Sequence, residues 1–391
     1  MNYDFDQVIE RRSSDSIKWN AYPEDVLPMW VADTDFRSPE PVIRRLRERV
    51  EHGIFGYPTS LGGRAGEVSP LVQAIQERLL KLYNWQVAAE AIVLVPGVVT
   101  AFNLACHALA GRGAGVLVQT PVYPPIISIG KETGVLQQEM LLERAPDGHY
   151  TVDLQRFEAA ITPETRAFLL CNPHNPVGRV FTPDELRGMA EICLKHNLAI
   201  ISDEIHCDLV YPGHPHTPIA SLDPEIARRT LTLMAPSKTY NLAGLECSFA
   251  IIPDAEMRRR YMGARQGILG WVNLAGTTAA EAAYQEGQEW LDQMLVYLQA
   301  NRDALVDFVD RRLPGVQMCA PQGTYLAWLD CRAANLPGSP YKFFLENAKV
   351  ALNDGATFGS GGEGFVRLNF GCPRSVLMEG LERIERALAA Q

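Results

Sequence analysis

One lysine of the chain stands at a place where a nucleophile could work. Lys238 follows the apolar run 231–234 and the turn residues Ala-Pro-Ser. A lone loop lysine is usually a solvated charge, so its position alone is weak evidence. The alternative is a nucleophilic amine that condenses with an aldehyde cofactor. That alternative gains weight only if the chain also holds the other groups that such a cofactor requires.

Two polar side chains meet the needs of a pyridoxal 5′-phosphate (PLP) ring. The pyridine nitrogen must stay protonated if the ring is to accept electrons from a Cα carbanion, and a carboxylate buried against it does this. Asp203 ends the apolar run 198–201, where a helix N-cap is the ordinary alternative. Asn175, in Asn172-Pro-His-Asn-Pro-Val-Gly178, is a candidate donor to the ring oxygen, and otherwise a turn residue before proline.

The phosphate of PLP needs converging N–H donors, and its ring needs a cover. The turn 96–100 opens the helical stretch 101–110, so the N-terminus of a helix would face the phosphate. Ser237 would add a hydroxyl, and Tyr123, which follows another apolar run, is a candidate lid for the ring. Each of these signals is weak alone, and their combination carries the argument. The backbone donors of the turn are those of Gly97, Val98 and Val99.

The bulk composition is that of an ordinary globular protein. The 391 residues are 47% hydrophobic and 21% charged. A chain of this length is expected to form two domains, or one large domain with a smaller one appended. The net charge of −10 argues against a basic surface for nucleic acid or anionic membranes. It does not exclude a small anionic ligand, which local dipoles and a few donors can hold.

Targeting signals and cysteine usage favour the cytoplasm. The first residues are acidic and polar, and no apolar run approaches the roughly 18 residues that a membrane helix requires. The eight cysteines include no CxxC pair, so we expect neither a metal site nor a disulfide framework. We therefore expect a cytoplasmic protein with a small-molecule substrate and with neither membrane nor nucleic-acid partners.

Short apolar runs alternate with helical patterns through the first two thirds of the chain. Continuous apolar strands separated by helices indicate a mostly parallel sheet that is buried on both faces. Ligands of such sheets bind at the carboxyl ends of the strands. Gly97, Asn172, Asp203 and Lys238 each stand just after one of the runs, so four loops are predicted to converge on one crevice. The predicted strands are 91–95, 115–119, 167–171, 199–202, 230–234 and 248–252.

The last third of the chain predicts a small α+β unit. A long amphipathic helix over 279–313 is followed by strands 323–329 and 365–370, which flank a helix over 341–349. A final helix is predicted from residue 375 to residue 389. We predict an N-terminal segment, 1–48, that packs with this unit, a large domain, 49–285, and a small C-terminal domain, 286–391.

Three motifs, in this order and spacing, resemble those of the class I/II aminotransferases, PLP enzymes of fold type I. They are Asn-Pro-x-Asn-Pro-x-Gly, Ser-Asp-Glu-Ile-His and Ser-Lys, and the resemblance covers essentially the whole chain. It is closest to the branch of cystathionine β-lyase-like C–S lyases. The resemblance implies an α/β fold, with a mostly parallel seven-stranded sheet in the large domain and a smaller α+β domain. The matching stretches are 28–36, 119–125, 171–179, 202–206, 235–244, 323–330 and 364–370.

The resemblance implies a role for each candidate side chain. Lys238 would bond to the cofactor and move the proton at Cα. Asp203 would pair with the pyridine nitrogen, Asn175 with the ring hydroxyl, and Tyr123 would stack on the ring. Arg367 would clamp the substrate α-carboxylate, a task that suits the guanidinium fork. Tyr123 and Asn175 would also contact the substrate.

The phosphate site implied by the resemblance reaches across a dimer. Gly97, Val98 and Ser237 would hold the phosphate, and Tyr57 would reach the phosphate of a neighbouring subunit. A homodimer with shared active sites is therefore expected. Two departures from the wider class concern this region and the ring. Glu246 stands eight residues after the lysine, where an arginine is usual. His206 stands three residues after the aspartate, where transaminases have tyrosine. His206 would therefore be the cofactor-binding residue near the ring hydroxyl, and it favours the lyase branch.

The function predicted by the resemblance is β-elimination from an S-substituted cysteine such as L-cystathionine. Transamination is the nearest alternative, because it shares every step up to the Cα carbanion. A transaminase for dicarboxylates would need a second arginine, and the sequence assigns none. The alternative from another class is a PLP-binding regulatory protein that contacts a partner, although no helix-turn-helix or basic extension is visible. A pull-down with and without PLP would test it.

Overall fold

The fold is built around a central sheet of seven strands. A computed structural model describes residues 2–58 and 67–391. The strand order is β1-β7-β6-β5-β4-β2-β3, and β7 alone runs antiparallel to its neighbours. This confirms the predicted α/β fold with a mostly parallel seven-stranded sheet. The strands are β1 Ile92–Val95, β2 Gly115–Thr120, β3 Leu136–Leu141, β4 Thr165–Cys171, β5 Ala199–Asp203, β6 Thr230–Met234 and β7 Ser248–Ile251.

Helices cover both faces of the central sheet. Eight helices of eight or more residues lie within the described residues. Helix α4 begins at a capping box, in which the side chains of Thr182 and Glu185 each accept a hydrogen bond from the other residue's backbone N–H. The eight helices are α1 Glu40–His52, α2 Pro70–Tyr83, α3 Val98–Ala105, α4 Pro183–Lys195, α5 Ala255–Arg265, α6 Leu274–Glu286, α7 Gln288–Arg312 and α8 Arg374–Ala389.

The packing of β4 explains why the inner strands are mostly apolar on both faces. Ala167 and Leu169 pack into the core that includes α3. Phe168 and Leu170 pack on the opposite face, into the core that includes α4. Successive side chains of a strand point to opposite faces, so a strand covered on both sides needs apolar residues throughout.

The seventh strand, β3, is absent from the predicted strands. It lies at the edge of the sheet and pairs only with β2. Its sequence is Leu-Gln-Gln-Glu-Met-Leu, and only Met140 is buried. An edge strand with water on one side does not need a continuous apolar run, so the pattern that identified the other six strands is missing here.

The predicted helix over 279–313 is wrong, because the chain forms two helices there. Helix α6 ends at Glu286 and α7 begins at Gln288, on either side of Gly287. A Cβ atom at Gly287 would lie 2.5 Å from the carbonyl oxygen of Ala283 and 2.8 Å from Cε1 of Tyr240. The close approach requires glycine, and the amphipathic pattern continues across it without marking the break.

The C-terminal part contains an antiparallel sheet in the order β8-β10-β9, with β8 at Leu326–Asp330, β9 at Asn353–Asp354 and β10 at Phe365–Asn369. The N-terminal strand Leu27–Pro28 pairs in parallel with Val350–Ala351. The N-terminal segment thus contacts this part of the molecule, while the domain limits at 48 and 285 stay a prediction. The predicted helix 341–349 is the helix Pro340–Phe343 followed by a wider π-helical turn, Phe344–Ala348.

Shorter elements complete the described chain. A second π-helical turn, Cys106–Ala110, extends α3, and the strands Glu143–Arg144 and Tyr150–Thr151 form a hairpin. All eight cysteines are free thiols, and Cys319 is the only one that is not buried. Within residues 2–58 and 67–391, no helix is long and apolar enough to cross a membrane. The short helices are Ile17–Asn20, Pro124–Ile127, Ile129–Thr133, Leu154–Ala159 and Pro224–Arg229, and the 3-10 turns are Ala89–Ala91, Ile219–Ser221, Ala243–Leu245, Arg332–Ala334 and Gly355–Phe358.

Candidate active site

The loops at the carboxyl ends of β1, β2, β4, β5 and β6 converge on a cavity of about 260 Å³. All the predicted cofactor-binding residues except Tyr57 line this cavity. The convergence follows from the parallel arrangement, which brings the ends of successive strands to one edge of the sheet. The predicted residues in the lining are Gly97, Val98, Val99, Tyr123, Asn175, Asp203, His206, Ser237 and Lys238.

Lys238 lies in the turn after β6, and its amine is in a largely desolvated position. Its Nζ donates a hydrogen bond to the carbonyl oxygen of Ala32 at 2.6 Å. Burial, with Arg367 as a neighbouring cation, lowers the pKa of Lys238 to about 8 against the opposite effect of Asp33 and Asp203. A lowered pKa leaves more of the amine neutral near physiological pH, as a nucleophile or a base requires.

Asp203 is the last residue of β5 and is buried. Its Oδ1 accepts a hydrogen bond from the backbone N–H of Ile205 at 3.2 Å. Burial, with a smaller contribution from Glu204, raises the pKa of Asp203 to about 7 against the opposite effect of the Ile205 hydrogen bond and Lys238. Among the described residues Asp203 forms no salt bridge. A ligand that places a protonated nitrogen beside a buried, unpaired carboxylate stabilises its charged form.

Arg367, in β10, lies beside the cavity and holds Asn175. Its Nη1 donates to Asn175 Oδ1 at 2.9 Å, and its Nη2 donates to the Trp30 carbonyl at 2.9 Å and to Asn353 Oδ1 at 2.6 Å. The guanidinium also lies 5.1 Å from the ring centre of Phe358. Its partners are all neutral, and burial lowers the pKa of Arg367 to about 10. The described part of the chain thus gives this buried cation no counter-charge.

His206 is buried against the aromatic ring of Tyr325, with ring centres 6.2 Å apart and an edge-to-face angle of 81°. Burial, with Lys238 and Arg367 as neighbouring cations, lowers the pKa of His206 to about 3. The imidazole is therefore neutral at physiological pH. Its Nδ1 has no hydrogen-bond partner within the described structure. Tyr123, also in the cavity lining, has a pKa raised by burial.

The turn between β1 and α3 has the geometry of a phosphate cradle. Gly97 adopts φ +84°, a conformation that favours glycine, and α3 begins at Val98 with its first N–H groups free of helical partners. Ser237 and Val99 line the same cavity. Glu246 lines it too, in a left-handed conformation with φ +47°. The glutamate that replaces the usual arginine of the wider class therefore lies within the cavity.

Tyr57 does not join the cavity within one chain. Its side chain is 98% exposed, and it lines a separate groove of about 470 Å³ together with Ile54 and Trp271. The position is compatible with a residue that acts in a neighbouring subunit, so its predicted role stays a prediction.

Residues 30–36, here called the strap, contribute backbone groups that the sequence did not identify. The Trp30 carbonyl binds Arg367, and the Ala32 carbonyl binds both Lys238 and the hydroxyl of Tyr325. The stretch 28–36 resembles the family, but a carbonyl oxygen has no residue-type signal.

The arrangement can hold a flat, anionic aromatic aldehyde and an amino acid. A lysine, a buried carboxylate and a helix N-terminus surround the cavity, and a buried arginine lies next to it. These groups match an aldehyde, a ring nitrogen, a phosphate and a substrate carboxylate respectively. Fold and site thus define an enzyme that works at the Cα of an amino acid.

The chain belongs to the class I and II aminotransferase family. The family's sequence model, "Aminotransferase class I and II", matches residues 41–384. The chain is 41% identical to cystathionine beta-lyase PatB of Bacillus subtilis (strain 168), over 98% of this chain and 100% of that protein. The resemblance to this family and to its C–S lyase branch is therefore confirmed.

Two solved structures are similar over nearly the whole chain. Cystalysin from Treponema denticola, which contains a pyridoxal 5′-phosphate cofactor, has a TM-score of 0.93 and 34% identity, covering 100% of both chains. The PLP-bound C-S lyase from Staphylococcus hominis has a TM-score of 0.92 and 31% identity, covering 99% of both chains. These similarities confirm fold type I as the predicted fold.

Proposed function

We propose that the protein is a PLP-dependent carbon–sulfur β-lyase that cleaves S-substituted cysteines such as L-cystathionine to a thiol, pyruvate and ammonia. The observation that carries the proposal is the full-length similarity, at 41% identity, to a protein named cystathionine beta-lyase. The cavity supports it independently, because it combines a lysine with a lowered pKa and a buried carboxylate beside a buried arginine.

PLP fits the groups that line the cavity. Lys238 would hold its aldehyde carbon, Asp203 its pyridine nitrogen and Asn175 its ring oxygen. Tyr123 would cover the ring, and His206 would stand as a neutral neighbour of Lys238 and the ring. When bound, the cofactor supplies an electron sink for the carbanion at Cα. The phosphate would be held by Gly97, Val98, Val99 and Ser237.

The chain's own residues then orient the substrate and move one proton. Arg367 binds the α-carboxylate, and because Asn175 and Asn353 fix the guanidinium, the amino acid is held in one orientation. The substrate amine takes the place of Lys238 at the cofactor, and the freed Lys238 amine takes the proton from Cα. The Cβ–S bond then breaks, and the thiolate leaves with a proton returned from Lys238. Lys238 bonds to the cofactor again and releases the enamine, which water hydrolyses to pyruvate and ammonia.

The cavity lining favours a thioether over a dicarboxylate. A substrate side chain with a net negative charge, such as that of aspartate, would call for a second cation, and the described residues that line the cavity include no arginine and only Lys238 as a lysine. The distal end of L-cystathionine carries an ammonium group beside its carboxylate and has no net charge. Arg367 serves the α-carboxylate. A neutral substrate side chain matches this charge distribution, as expected for a lyase acting on S-substituted cysteines.

We also propose that the enzyme is a homodimer in which Tyr57 reaches the phosphate of the partner's site. The groove around Tyr57 carries exposed apolar side chains, including Ile54 at 65% and Trp271 at 54% exposure. Clustered exposed apolar groups are typical of protein interfaces. A Tyr57→Phe variant that lowers PLP affinity without changing the dimer mass would support the role. Unchanged affinity would contradict it.

A cytoplasmic location is the last part of the proposal. It is supported by the eight free cysteines, because thiols persist in a reducing compartment. Fractionation of the native host cells tests it, and recovery of the enzyme outside the cytoplasmic fraction would contradict it.

The test of the activity uses purified, PLP-loaded protein in two reactions. One contains L-cystathionine and no keto acid, and free thiol and pyruvate are measured. The other contains an amino acid with 2-oxoglutarate, and glutamate is measured. We expect thiol and pyruvate in the first reaction. Glutamate in the second reaction, with neither product in the first, would make the protein a transaminase.

A further inference from the structure

The strap connects the two side chains on which the proposed reaction depends. Its Trp30 carbonyl accepts a hydrogen bond from Arg367 at 2.9 Å, and its Ala32 carbonyl accepts one from Lys238 at 2.6 Å. Arg367 lies in strand β10 of the C-terminal sheet, and Lys238 lies in the turn that follows strand β6 of the central sheet. The strap is thus a backbone bridge between the group that would bind the substrate carboxylate and the base that would take the Cα proton.

Four other carbonyl groups of the strap accept hydrogen bonds from two asparagines, and two of the four also accept from Arg11 and Lys18. Asn369 Nδ2 donates to the carbonyls of Val31 and Asp33 at 2.5 and 2.7 Å. The carbonyls of residues 30–33 therefore alternate between the site and Asn369. Asn369 lies two residues after Arg367 in the same strand, so the strand that carries the arginine also fixes the strap on both sides of Ala32.

Asn241 holds the other end of the strap. Its Nδ2 donates to the carbonyls of Thr34 and Phe36 at 3.0 and 2.9 Å, and its Oδ1 accepts from the N–H of Thr34 at 3.3 Å. The Ser38 hydroxyl donates to the Asn241 carbonyl at 3.2 Å. Asn241 thus uses both its amide and its backbone carbonyl on the N-terminal segment, three residues after Lys238.

The backbone of Asn241 also favours this residue type. Its φ of +58° is in the left-handed region, which asparagine tolerates better than most residues other than glycine. Asparagine is thereby able to make the turn after Lys238 and present an amide to the strap at the same time. Glycine would permit the turn without the amide, which separates the two effects experimentally.

We propose that Asn241 is a positioning residue, which acts through the strap to set where the Lys238 amine stands relative to a substrate held by Arg367. The inference rests on the proposed role of Lys238 in taking the Cα proton. Loss of the Asn241 amide uncouples the turn that carries Lys238 from residues 34–36 of the strap, while Asn369 still holds the carbonyls on either side of Ala32. Proton removal therefore becomes slower, and binding of the carboxylate changes less.

The test compares Asn241→Gly and Asn241→Asp with a matched control, Asn335→Gly. Asn335 also has a left-handed backbone, with φ +52°, but it lies outside the cavity lining. Its replacement by glycine therefore measures the effect of changing a left-handed asparagine that does not contact the strap. Asn241→Asp replaces the amide donor by a carboxylate oxygen, which faces the Thr34 and Phe36 carbonyls as a second acceptor. If Asn241→Asp does not fold, Asn241→Gly alone provides the test. The readouts are kcat and KM for L-cystathionine, the isotope effect of deuterium at Cα, and the visible absorbance band of bound PLP.

We expect both Asn241 variants to lower kcat by roughly 10- to 100-fold, with a smaller change in KM, because a displacement near 1 Å costs rates of that order. The Cα isotope effect should rise, and the absorbance band should shift, whereas Asn335→Gly should match the wild type. Folded Asn241 variants with wild-type kcat, isotope effect and absorbance would overturn the proposal.

A second assay keeps this test independent of the proposed lyase activity. Exchange of the Cα proton of L-alanine with solvent deuterium, followed by NMR, requires proton removal but no leaving group. If the wild type releases no thiol from cystathionine yet exchanges the alanine proton, the lyase function fails while the positioning test stands. Slower exchange in Asn241→Gly alone among the glycine variants supports the role of Asn241, and equal exchange refutes it.

Discussion

Two neighbouring regions of the molecule bury charged side chains, and only one of them pairs the charges internally. In the N-terminal charge cluster, formed by Arg11, Lys18, Asp33 and Asp35, Lys18 is 1% exposed and its Nζ lies 2.7 Å from Asp35 Oδ2. Arg11 binds Asp33 at 2.9 Å and Asp35 at 2.6 Å. Each charge of this cluster has an opposite charge in contact.

The active site treats its charges differently. Lys238, Asp203 and Arg367 form no salt bridge among the described residues, and burial shifts their pKa values to about 8, 7 and 10. Desolvation without a partner penalises the charged form of each group. The paired charges of the N-terminal cluster therefore stabilise the fold. The unpaired charges of the active site would be paired by groups of a bound cofactor and substrate.

Removing the lysine of the site should produce the largest effect on activity. Lys238→Ala is expected to lower the rate of thiol release by at least about 10⁴-fold, because the residue is both nucleophile and base. The melting temperature should stay close to that of the wild type, since a desolvated amine is lost. Lys195→Ala, which changes a lysine that is 66% exposed, is the control and should keep full activity. Thiol release by Lys238→Ala at a tenth of the wild-type rate would refute the assignment.

Variants of Arg367 in the active site and of Lys18 in the N-terminal charge cluster test the difference between unpaired and paired buried charges. Arg367→Gln should reduce kcat/KM by roughly 10²- to 10³-fold through loss of a buried charge contact with the carboxylate. Lys18→Met should instead leave kcat/KM nearly unchanged and destabilise the fold by about 3 kcal/mol, because it breaks a buried ion pair. Urea unfolding and steady-state kinetics measure both quantities. The comparison fails if Arg367→Gln lowers stability more than Lys18→Met does.

The carboxylate of the site should make the apoenzyme sensitive to pH. Because the pKa of Asp203 is raised from 3.8 to about 7, the folded state keeps the proton to higher pH than the unfolded state. Protonation of Asp203 therefore makes its full contribution to the free energy of unfolding below about pH 4, and this contribution is lost as the pH rises to about 7. We expect the melting temperature of the apo wild type, relative to apo Asp203→Asn, to fall across this window. Parallel melting curves would show that Asp203 is not shifted.

The smallest expected effect concerns the phosphate end of the cavity. Glu246 places a carboxylate in the lining where the wider family has arginine. Glu246→Arg should lower the dissociation constant of PLP by about tenfold, which corresponds to roughly 1.4 kcal/mol. Glu246→Gln, which removes only the repulsion, should have a weaker effect in the same direction. Equilibrium dialysis of the apo variants measures this, and weaker PLP binding by Glu246→Arg would contradict the expected phosphate position.

Features with a strong local pattern could be predicted from the sequence. Six strands were identified because burial on both faces demands continuous apolar residues, and the site followed because polar residues such as Asp203 and Lys238 stand at the ends of those strands. The family resemblance added Arg367, which no local pattern singles out. The same resemblance named the strap stretch without saying what it contacts.

Features that depend on neighbours could not be predicted. The edge strand β3 has water on one side and lacks the apolar pattern. The break between α6 and α7 at Gly287 depends on the close approach of Tyr240, which is a tertiary contact. The hydrogen bond of Lys238 to Ala32 joins residues 206 positions apart through a backbone carbonyl, a group that every residue has. The part played by Tyr57 requires a second chain.

The central claim is that the unpaired charges of the site receive their partners from the cofactor, and ¹⁵N NMR of PLP labelled at the pyridine nitrogen tests it most directly. In the wild-type holoenzyme at neutral pH, we predict a protonated pyridine nitrogen, because it pairs with the Asp203 carboxylate. In Asp203→Asn the nitrogen should be unprotonated under the same conditions. A neutral nitrogen in the wild type, or the same signal in both proteins, would contradict the account.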